Sequence, residues 1–230
     1  MSKYKLIIFD LDGTLIDTSE GVILSFQYVF DKYNLSVPDG LSVNNFIGPP
    51  LLKTFGEYFN LTGDTLFSAI RDFREYYASG NIFKANLYDK MDYVLQELKR
   101  QGYLLAVATN KNETHAHMVL EHFDIEKYFD SISGSNASET LEKKDIINTT
   151  LSKLSIANNQ ALMVGDASTD LVGARLSNVD FLAVTYGFGF LNEKSLIDNN
   201  IKHSIKMPIE LLEFLSKKWY KTWLRNIYYI

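Results

Sequence analysis

Four short, wholly apolar runs alternate with amphipathic stretches, and this alternation constrains the fold most strongly. Continuous apolar runs of this length are typical of strands buried on both faces. The runs cover residues 6–9, 104–108, 161–164 and 181–184. Amphipathic helices are expected at 90–100, 113–122, 145–154 and 169–176. Strands that alternate with helices form right-handed βαβ units. The sequence therefore predicts an α/β protein with a Rossmann-like parallel sheet flanked by helices.

One long gap interrupts the alternation. About ninety residues separate the first apolar run from the second, which is far more than an ordinary crossover connection needs. Within the gap, residues 22–33 and 66–77 have helical spacing, and turn residues stand at 38–40 and 48–50. We therefore expect a helical cap domain at 16–84, inserted into an α/β core formed by 1–15 and 85–230.

The overall composition limits the possible partners and chemistry. The 230 residues carry a formal net charge of −5 and include no cysteine. No nucleic-acid partner is expected, because the broad basic footprint of such proteins is missing. The first apolar run is interrupted by Asp10 after four residues, too early for a signal peptide or membrane span. We expect a cytoplasmic protein without a membrane partner, whose catalysis uses oxygen and nitrogen groups.

Carboxylates follow two of the predicted strands. The motif Asp-Leu-Asp-Gly-Thr occupies residues 10–14, and Asp166 and Asp170 follow the run at 161–164. Ligands of open parallel sheets bind at the carboxyl ends of the strands. Carboxylates that share a site repel one another, and a hard divalent cation with oxygen ligands relieves this repulsion. The pattern predicts a magnesium site with Asp10, Asp12, Asp166 and Asp170 as metal residues.

The same residues suit phosphoryl transfer. Asp10 can attack a phosphate if a cation reduces the charge repulsion, and Asp12 can donate a proton to the leaving oxygen. The hydroxyl of Thr109, which follows the second apolar run, and the backbone around Asn110 are candidate donors to the phosphoryl oxygens. A lysine adds positive charge to the transferring group. We therefore predict a phosphatase with an aspartyl-phosphate intermediate.

Four motifs in this order resemble the haloacid dehalogenase superfamily. They are Asp-x-Asp-Gly-Thr at 10–14, Thr109, a lysine in Lys143-Lys144, and Gly-Asp-x-x-x-Asp at 165–170. Phe-Ile-Gly-Pro-Pro-Leu at 46–51, Tyr88 and Tyr-Phe-Asp at 128–130 are similar to the phosphoglycolate phosphatase-like branch. That branch carries a helical cap inserted after the first motif.

The resemblance implies a role for each matching residue. Asp10 corresponds to the nucleophile and a metal ligand, and Asp12 to the acid/base, whose backbone carbonyl also binds the metal. Thr109 matches the phosphate-binding hydroxyl. Asp166 matches the metal-binding acid, and Asp170 either a ligand or the holder of a metal-bound water.

The catalytic lysine and the substrate contacts are less closely defined. Many relatives have a Lys-Pro pair that this chain lacks, so the alignment selects Lys143, with Lys144 as the alternative. In the predicted cap, the turn at 48–50 makes Gly48 a candidate for contacting the leaving group. Residues 187–189 (Gly-Phe-Gly) are interpreted as a plain loop, because a dinucleotide-binding motif needs a third glycine after the first strand.

These observations predict a magnesium-dependent phosphomonoesterase that acts on a small phosphorylated metabolite, such as phosphoglycolate or a nucleoside monophosphate. Two alternatives stay open: a sugar phosphomutase of the beta-phosphoglucomutase type, and a non-catalytic regulator that binds magnesium and phosphate. The chain is expected to be a monomer or homodimer. The aromatic segment 217–230 is predicted to form either a terminal helix packed on the core or a partner surface.

Overall fold

The computed structural model describes residues 3–48, 50–136, 141–190 and 192–216. The chain divides into two compact units, of which the smaller, Asp17–Asn86, is inserted into a larger unit formed by the chain on either side. The predicted cap covered 16–84, so its boundaries lie within two residues of this division. The aromatic segment 217–230 lies outside the described residues, and its packing stays a prediction.

The described residues form eight β-strands and nine α-helices. The strands are β1 (Leu6–Phe9), β2 (Ile16–Asp17), β3 (Asn86–Leu87), β4 (Leu104–Asn112), β5 (Ser131–Ser135), β6 (Ala161–Gly165), β7 (Asp180–Val184) and β8 (Ser204–Ile205). The helices are α1 (Ser19–Tyr33), α2 (Leu51–Lys53), α3 (Gly63–Ala78), α4 (Met91–Arg100), α5 (Glu113–His122), α6 (Lys143–Leu154), α7 (Ser168–Leu176), α8 (Glu193–Asp198) and α9 (Glu210–Leu215). None of these helices is long and apolar enough to span a bilayer.

The larger unit is built on a six-stranded sheet in the order β5-β4-β1-β6-β7-β8. Every neighbouring pair is parallel. β1 lies in the interior of the sheet, with Leu6 opposite both Leu104 and Ala161. The parallel sheet flanked by helices confirms the predicted fold class.

Burial on both faces explains why β1 is apolar throughout. Leu6 and Ile8 belong to a core cluster that includes Ile147 of α6 and Ala174 of α7. Ile7 points to the opposite face, because side chains alternate along a strand, and it is also fully buried. Each such side chain contributes about 1.5–3 kcal/mol relative to an exposed one.

The observed elements differ from the predicted ones in two informative places. β5 has the sequence Ser-Ile-Ser-Gly-Ser and was not among the predicted apolar runs, because it is an edge strand with one large apolar residue. β4 was expected to end at Ala108 but continues to Asn112, with a register shift between these two residues. Thr109 and Asn110 therefore lie within an irregular strand rather than after it.

The smaller unit has its own aromatic core. Phe26 of α1 is fully buried, and its ring centroid lies 4.7 Å from that of Phe73 in α3 and 5.6 Å from that of Phe55. Tilted aromatic pairs at this spacing add about 0.5–1.5 kcal/mol each beyond their buried area. The unit is therefore compact and has a packed aromatic core.

Candidate active site

The order of the strands places several polar residues at one edge of the sheet. From β1 the chain leads to β4 and β5 on one side, and then to β6, β7 and β8 on the other. Ligands of open α/β sheets bind where the strand order reverses, at the carboxyl ends. Asp10 directly follows β1, Thr109 lies near the end of β4, and Asp166 directly follows β6. The three residues therefore come from adjacent strands.

Three carboxylates meet at this edge. Asp10, Asp166 and Asp170 each offer an oxygen atom, and these atoms all lie within 4.8 Å of one another. All three side chains are buried. Burial and the neighbouring Asp170 raise the pKa of Asp10 to about 6, although Lys143 opposes the change. Burial, followed by Asp10 and Asp170, raises the pKa of Asp166 to about 7. The three buried carboxylates thus need nearby positive charge to be stable in their ionised forms.

Lys143, the first residue of α6, supplies a cation to this cluster. Its Nζ donates to Asp10 Oδ1 at 2.9 Å and to the carbonyl oxygen of Ala108 at 3.0 Å. Asp170 Oδ1 lies 2.8 Å away and forms an ion pair outside hydrogen-bond geometry. Burial alone lowers the pKa of Lys143, but Asp10 and Asp170 outweigh it and raise this pKa. Lys144, the predicted alternative, instead pairs with Glu142 at 2.8 Å on the surface.

The side chain of Asp12 is directed to a different cation. Its Oδ2 accepts a hydrogen bond from Lys111 Nζ at 2.7 Å, and its Oδ1 is buried without a hydrogen-bond partner. Asp12 does not belong to the carboxylate group found among the described residues. A role for Asp12 as a metal residue therefore depends on its backbone carbonyl. Lys111 was not among the predicted site residues, although it follows Thr109 by two positions.

Backbone amides hold two of the carboxylates in place. The N–H groups of Phe188 and Gly189 donate to Asp166 Oδ2 at 2.7 and 3.3 Å. The N–H of Ala167 donates to Asp170 Oδ2 at 3.1 Å at the start of α7. The segment 187–189 is thus more than a plain loop, since it orients Asp166. The two glycines on either side of one aromatic residue were the available sequence signal for this close approach.

Gly13 and Gly173 illustrate why glycine is needed where parts of the site approach closely. Gly13 has a φ of +79°, and a Cβ atom there would lie 2.7 Å from Cγ of Asp166. A Cβ atom on Gly173 of α7 would lie 2.6 Å from Cγ of Lys143. A Cβ atom this close to a non-bonded atom causes a steric clash, which glycine avoids because it has no Cβ. The two glycines therefore allow the carboxylates and the lysine to pack together.

The three predicted substrate contacts have different environments. Thr109 is only 2% exposed, and its Oγ1 accepts from the N–H of Lys111 at 3.2 Å. Asn110 is exposed within β4. Gly48 belongs to the smaller unit, where it is exposed in a turn with a φ of +100°. Among the described residues, Thr109 therefore lies at the strand edge that carries the carboxylates, and Gly48 belongs to the other unit.

The donor set fits a hard cation. Asp10, Asp166 and Asp170 offer only oxygen ligands, and oxygen is what magnesium prefers. The raised pKa values show that burial and mutual repulsion disfavour the charged forms of these groups, and a divalent cation offsets that cost. These residues could therefore hold Mg²⁺.

The fold and the site define an α/β enzyme with a carboxylate centre at the switch point of a parallel sheet. The profile of the family described as haloacid dehalogenase-like hydrolase matches residues 7–184. A 5'-nucleotidase of Pseudomonas aeruginosa is 33% identical over 192 residues, covering 83% of this chain and 87% of that protein. A phosphoglycolate phosphatase of Pasteurella multocida is 30% identical over 200 residues, covering 83% and 89%.

A solved structure agrees with these sequence matches. The haloacid dehalogenase-like family hydrolase SP0104 of Streptococcus pneumoniae has a TM-score of 0.85 and 32% identity, covering 94% of this chain and 100% of that one. The chain belongs to the haloacid dehalogenase-like hydrolase family. This confirms the resemblance and the expectation of a phosphatase of this family.

Proposed function

We propose that the chain is a magnesium-dependent phosphomonoester hydrolase that forms an aspartyl-phosphate on Asp10. The observation that carries this proposal is the position of Asp10, which is buried among Asp166 and Asp170 with Lys143 Nζ 2.9 Å from its Oδ1. A buried carboxylate can attack a phosphate only where nearby cations offset the repulsion between the two anions. The site has one such cation at the nucleophile and oxygen ligands for another.

Magnesium, held by Asp10, Asp166 and Asp170 together with the backbone carbonyl of Asp12, would neutralise charge on the transferring phosphoryl group. In the first half-reaction, a carboxylate oxygen of Asp10 bonds to phosphorus, and the bond from phosphorus to the ester oxygen breaks. In the second, a water molecule attacks the aspartyl-phosphate and releases inorganic phosphate. Asp10 is then regenerated as a carboxylate.

Asp12 suits the proton transfers of both half-reactions. We assign it the donation of a proton to the leaving ester oxygen and the later acceptance of a proton from the attacking water. Its side chain is 30% exposed, more than that of Asp10 at 12%. This difference in exposure supports a division of roles, with Asp10 shielded as nucleophile and Asp12 open to the leaving group.

Lys143 is our candidate for the catalytic lysine. It contacts Asp10 directly, whereas Lys144 forms an exposed pair with Glu142. Its ammonium group would orient Asp10 and stabilise charge on the phosphoryl oxygens. We assign Thr109 as a phosphate ligand because its hydroxyl lies in β4, the strand next to β1. The backbone of Asn110 and the turn at Gly48 stay predictions.

Two substrate classes follow from the relatives. One is named a 5'-nucleotidase and another a phosphoglycolate phosphatase, so nucleoside monophosphates and phosphoglycolate are the first candidates among small phosphorylated metabolites. We further propose that the enzyme is cytoplasmic and acts as a monomer or homodimer, without nucleic-acid or membrane partners.

The test is phosphate release from a panel of phosphoglycolate, nucleoside monophosphates and sugar phosphates, with magnesium and with chelator. Wild type is compared with Asp10→Asn and with the control Asp145→Asn, which changes an exposed carboxylate on α6. We expect magnesium-dependent release that Asp10→Asn abolishes and Asp145→Asn retains. Release that survives Asp10→Asn contradicts the proposal. A folded, inactive wild type instead favours the phosphomutase or the non-catalytic regulator.

A further inference from the structure

Lys111 is a second cation at the site that the roles assigned above do not use. Its Nζ lies 2.7 Å from Asp12 Oδ2, although the two residues are 99 positions apart in the sequence. Its side chain is only 10% exposed. Burying an ammonium group is costly unless an anion compensates for the lost hydration. Asp12 supplies such an anion here.

The two lysines of the site serve different carboxylates. Lys143 pairs with Asp10 and Asp170, at the proposed nucleophile. Lys111 pairs with Asp12, at the proposed proton donor. Positive charge therefore lies next to both the proposed nucleophile and the proposed proton donor. The Asp12 side is the more open of the two, since Asp12 is 30% exposed whereas Lys143 is 3% exposed.

We propose that Lys111 is a specificity-determining residue that binds an anionic group on the leaving side of the substrate. This proposal rests on the proposed function, because it requires Asp12 to contact the leaving oxygen. A carboxylate or phosphoryl group attached close to that oxygen lies near Asp12 and hence near the ammonium of Lys111. The favoured substrates are phosphate esters or anhydrides whose leaving group carries such an anion.

A neutral leaving group cannot make this contact. A neutral alcohol offers Lys111 no counter-charge, and Asp12 must at the same time bond the leaving oxygen. An anionic leaving group satisfies Lys111 while Asp12 is engaged in that contact. The structure thus favours phosphoglycolate-like or pyrophosphate-like substrates over nucleoside monophosphates, whose leaving group is a neutral hydroxyl.

The kinetic test uses matched substrates and matched variants. Phosphoglycolate and 2-hydroxyethyl phosphate differ mainly in the charge of the leaving group, and pyrophosphate replaces the carboxylate with a phosphoryl group. Values of kcat and KM are measured at fixed free magnesium for wild type, Lys111→Met, Lys111→Arg and the surface control Lys144→Met. Far-UV circular dichroism checks that each variant is folded. The preferred anionic substrate distinguishes a carboxylate from a phosphoryl group.

Wild type should prefer an anionic substrate to the neutral one. In Lys111→Met, kcat/KM for that substrate should fall about 10- to 100-fold more than for 2-hydroxyethyl phosphate, as expected for the loss of one charge-assisted hydrogen bond. Lys111→Arg should restore much of this selectivity, and Lys144→Met should retain it. An equal loss on charged and neutral substrates overturns the proposal, because a merely structural lysine affects both.

A binding measurement separates this proposal from the proposed function. Calorimetric titration of Asp10→Asn with phosphoglycolate and 2-hydroxyethyl phosphate, with and without Lys111→Met, requires no turnover. We expect Lys111→Met to weaken binding of phosphoglycolate about tenfold or more and to change binding of the neutral ester far less. Unchanged selectivity of binding refutes the role of Lys111. An enzyme without turnover that still shows this charge selectivity refutes only the hydrolase proposal.

Discussion

Replacing Lys143 with methionine should destabilise the metal-free protein strongly. Methionine keeps most of the apolar stem but removes the ammonium group that lies 2.9 Å from Asp10 and 2.8 Å from Asp170. Because the lysine side chain is 3% exposed and that of Asp170 is 0% exposed, little water can replace the lost charge. Removing one partner of a buried ion pair costs about 3–5 kcal/mol.

The assay is urea unfolding at pH 8 in the presence of chelator, monitored by far-UV circular dichroism. For a chain of this size, the expected loss corresponds to a melting temperature roughly 6–20 °C lower. Lys144→Met is the matched control, since Lys144 is 40% exposed and its partner Glu142 is 67% exposed. Exposed pairs contribute about 0–1 kcal/mol. Saturating magnesium should reduce the deficit of Lys143→Met, because the bound cation replaces part of the missing positive charge.

A destabilisation below about 1 kcal/mol in chelator, or one equal to that of Lys144→Met, refutes this reasoning. Such a result means that Lys143 is not needed to offset the repulsion between the carboxylates. A further check is the effect of acid. Protonated carboxyl groups no longer need a cation, so the difference between wild type and Lys143→Met should shrink as the pH falls.

Two further predictions follow from the same cluster. In chelator, stability should decrease as the pH rises from about 4 to about 7, because the pKa values of Asp10 (about 6) and Asp166 (about 7) exceed the unfolded value of 3.8. Magnesium should make the stability less dependent on pH. The prediction is contradicted if the urea midpoint in chelator rises with pH. Gly173→Ala should displace Lys143 and lower phosphate release about tenfold or more. Gly56→Ala is the control, since a Cβ there meets only an ordinary contact at 3.9 Å, and equal activity of the two variants contradicts the prediction.

The interior strands could be predicted from the sequence because their burial is complete. β1, β6 and the first part of β4 are apolar throughout, and a strand buried on both faces has no polar positions. The edge strand β5 could not be predicted in this way, because serine dominates its sequence. The length of the connection after β1 predicts an inserted cap, and residues Asp17–Asn86 of this connection form a compact unit.

At the site, the sequence motifs predicted which residues follow the buried strands. They did not predict which side chains contact one another. Asp10 and Asp166 stand directly after buried strands, so their position at one sheet edge followed from the topology. The contact between Lys111 and Asp12 depends on the irregular end of β4, where the register shifts. The amides that hold Asp166 come from a loop 22 positions further along the chain. The glycines at 187 and 189 indicate a close approach, but a single sequence does not show which distant residue they approach.

The interior position of β1 has a consequence for folding during synthesis. β1 is made before both of its neighbours, β4 and β6, and Lys143 follows Asp10 by 133 residues. Chains grow at about 5–20 residues per second, so roughly 5–30 seconds pass between the synthesis of the Leu-Ile-Ile-Phe strand and that of its two partners. Meanwhile it is an unpaired apolar segment of the kind that aggregates. The aspartates that follow β1 add negative charge next to this segment, and such charges oppose premature association between nascent chains.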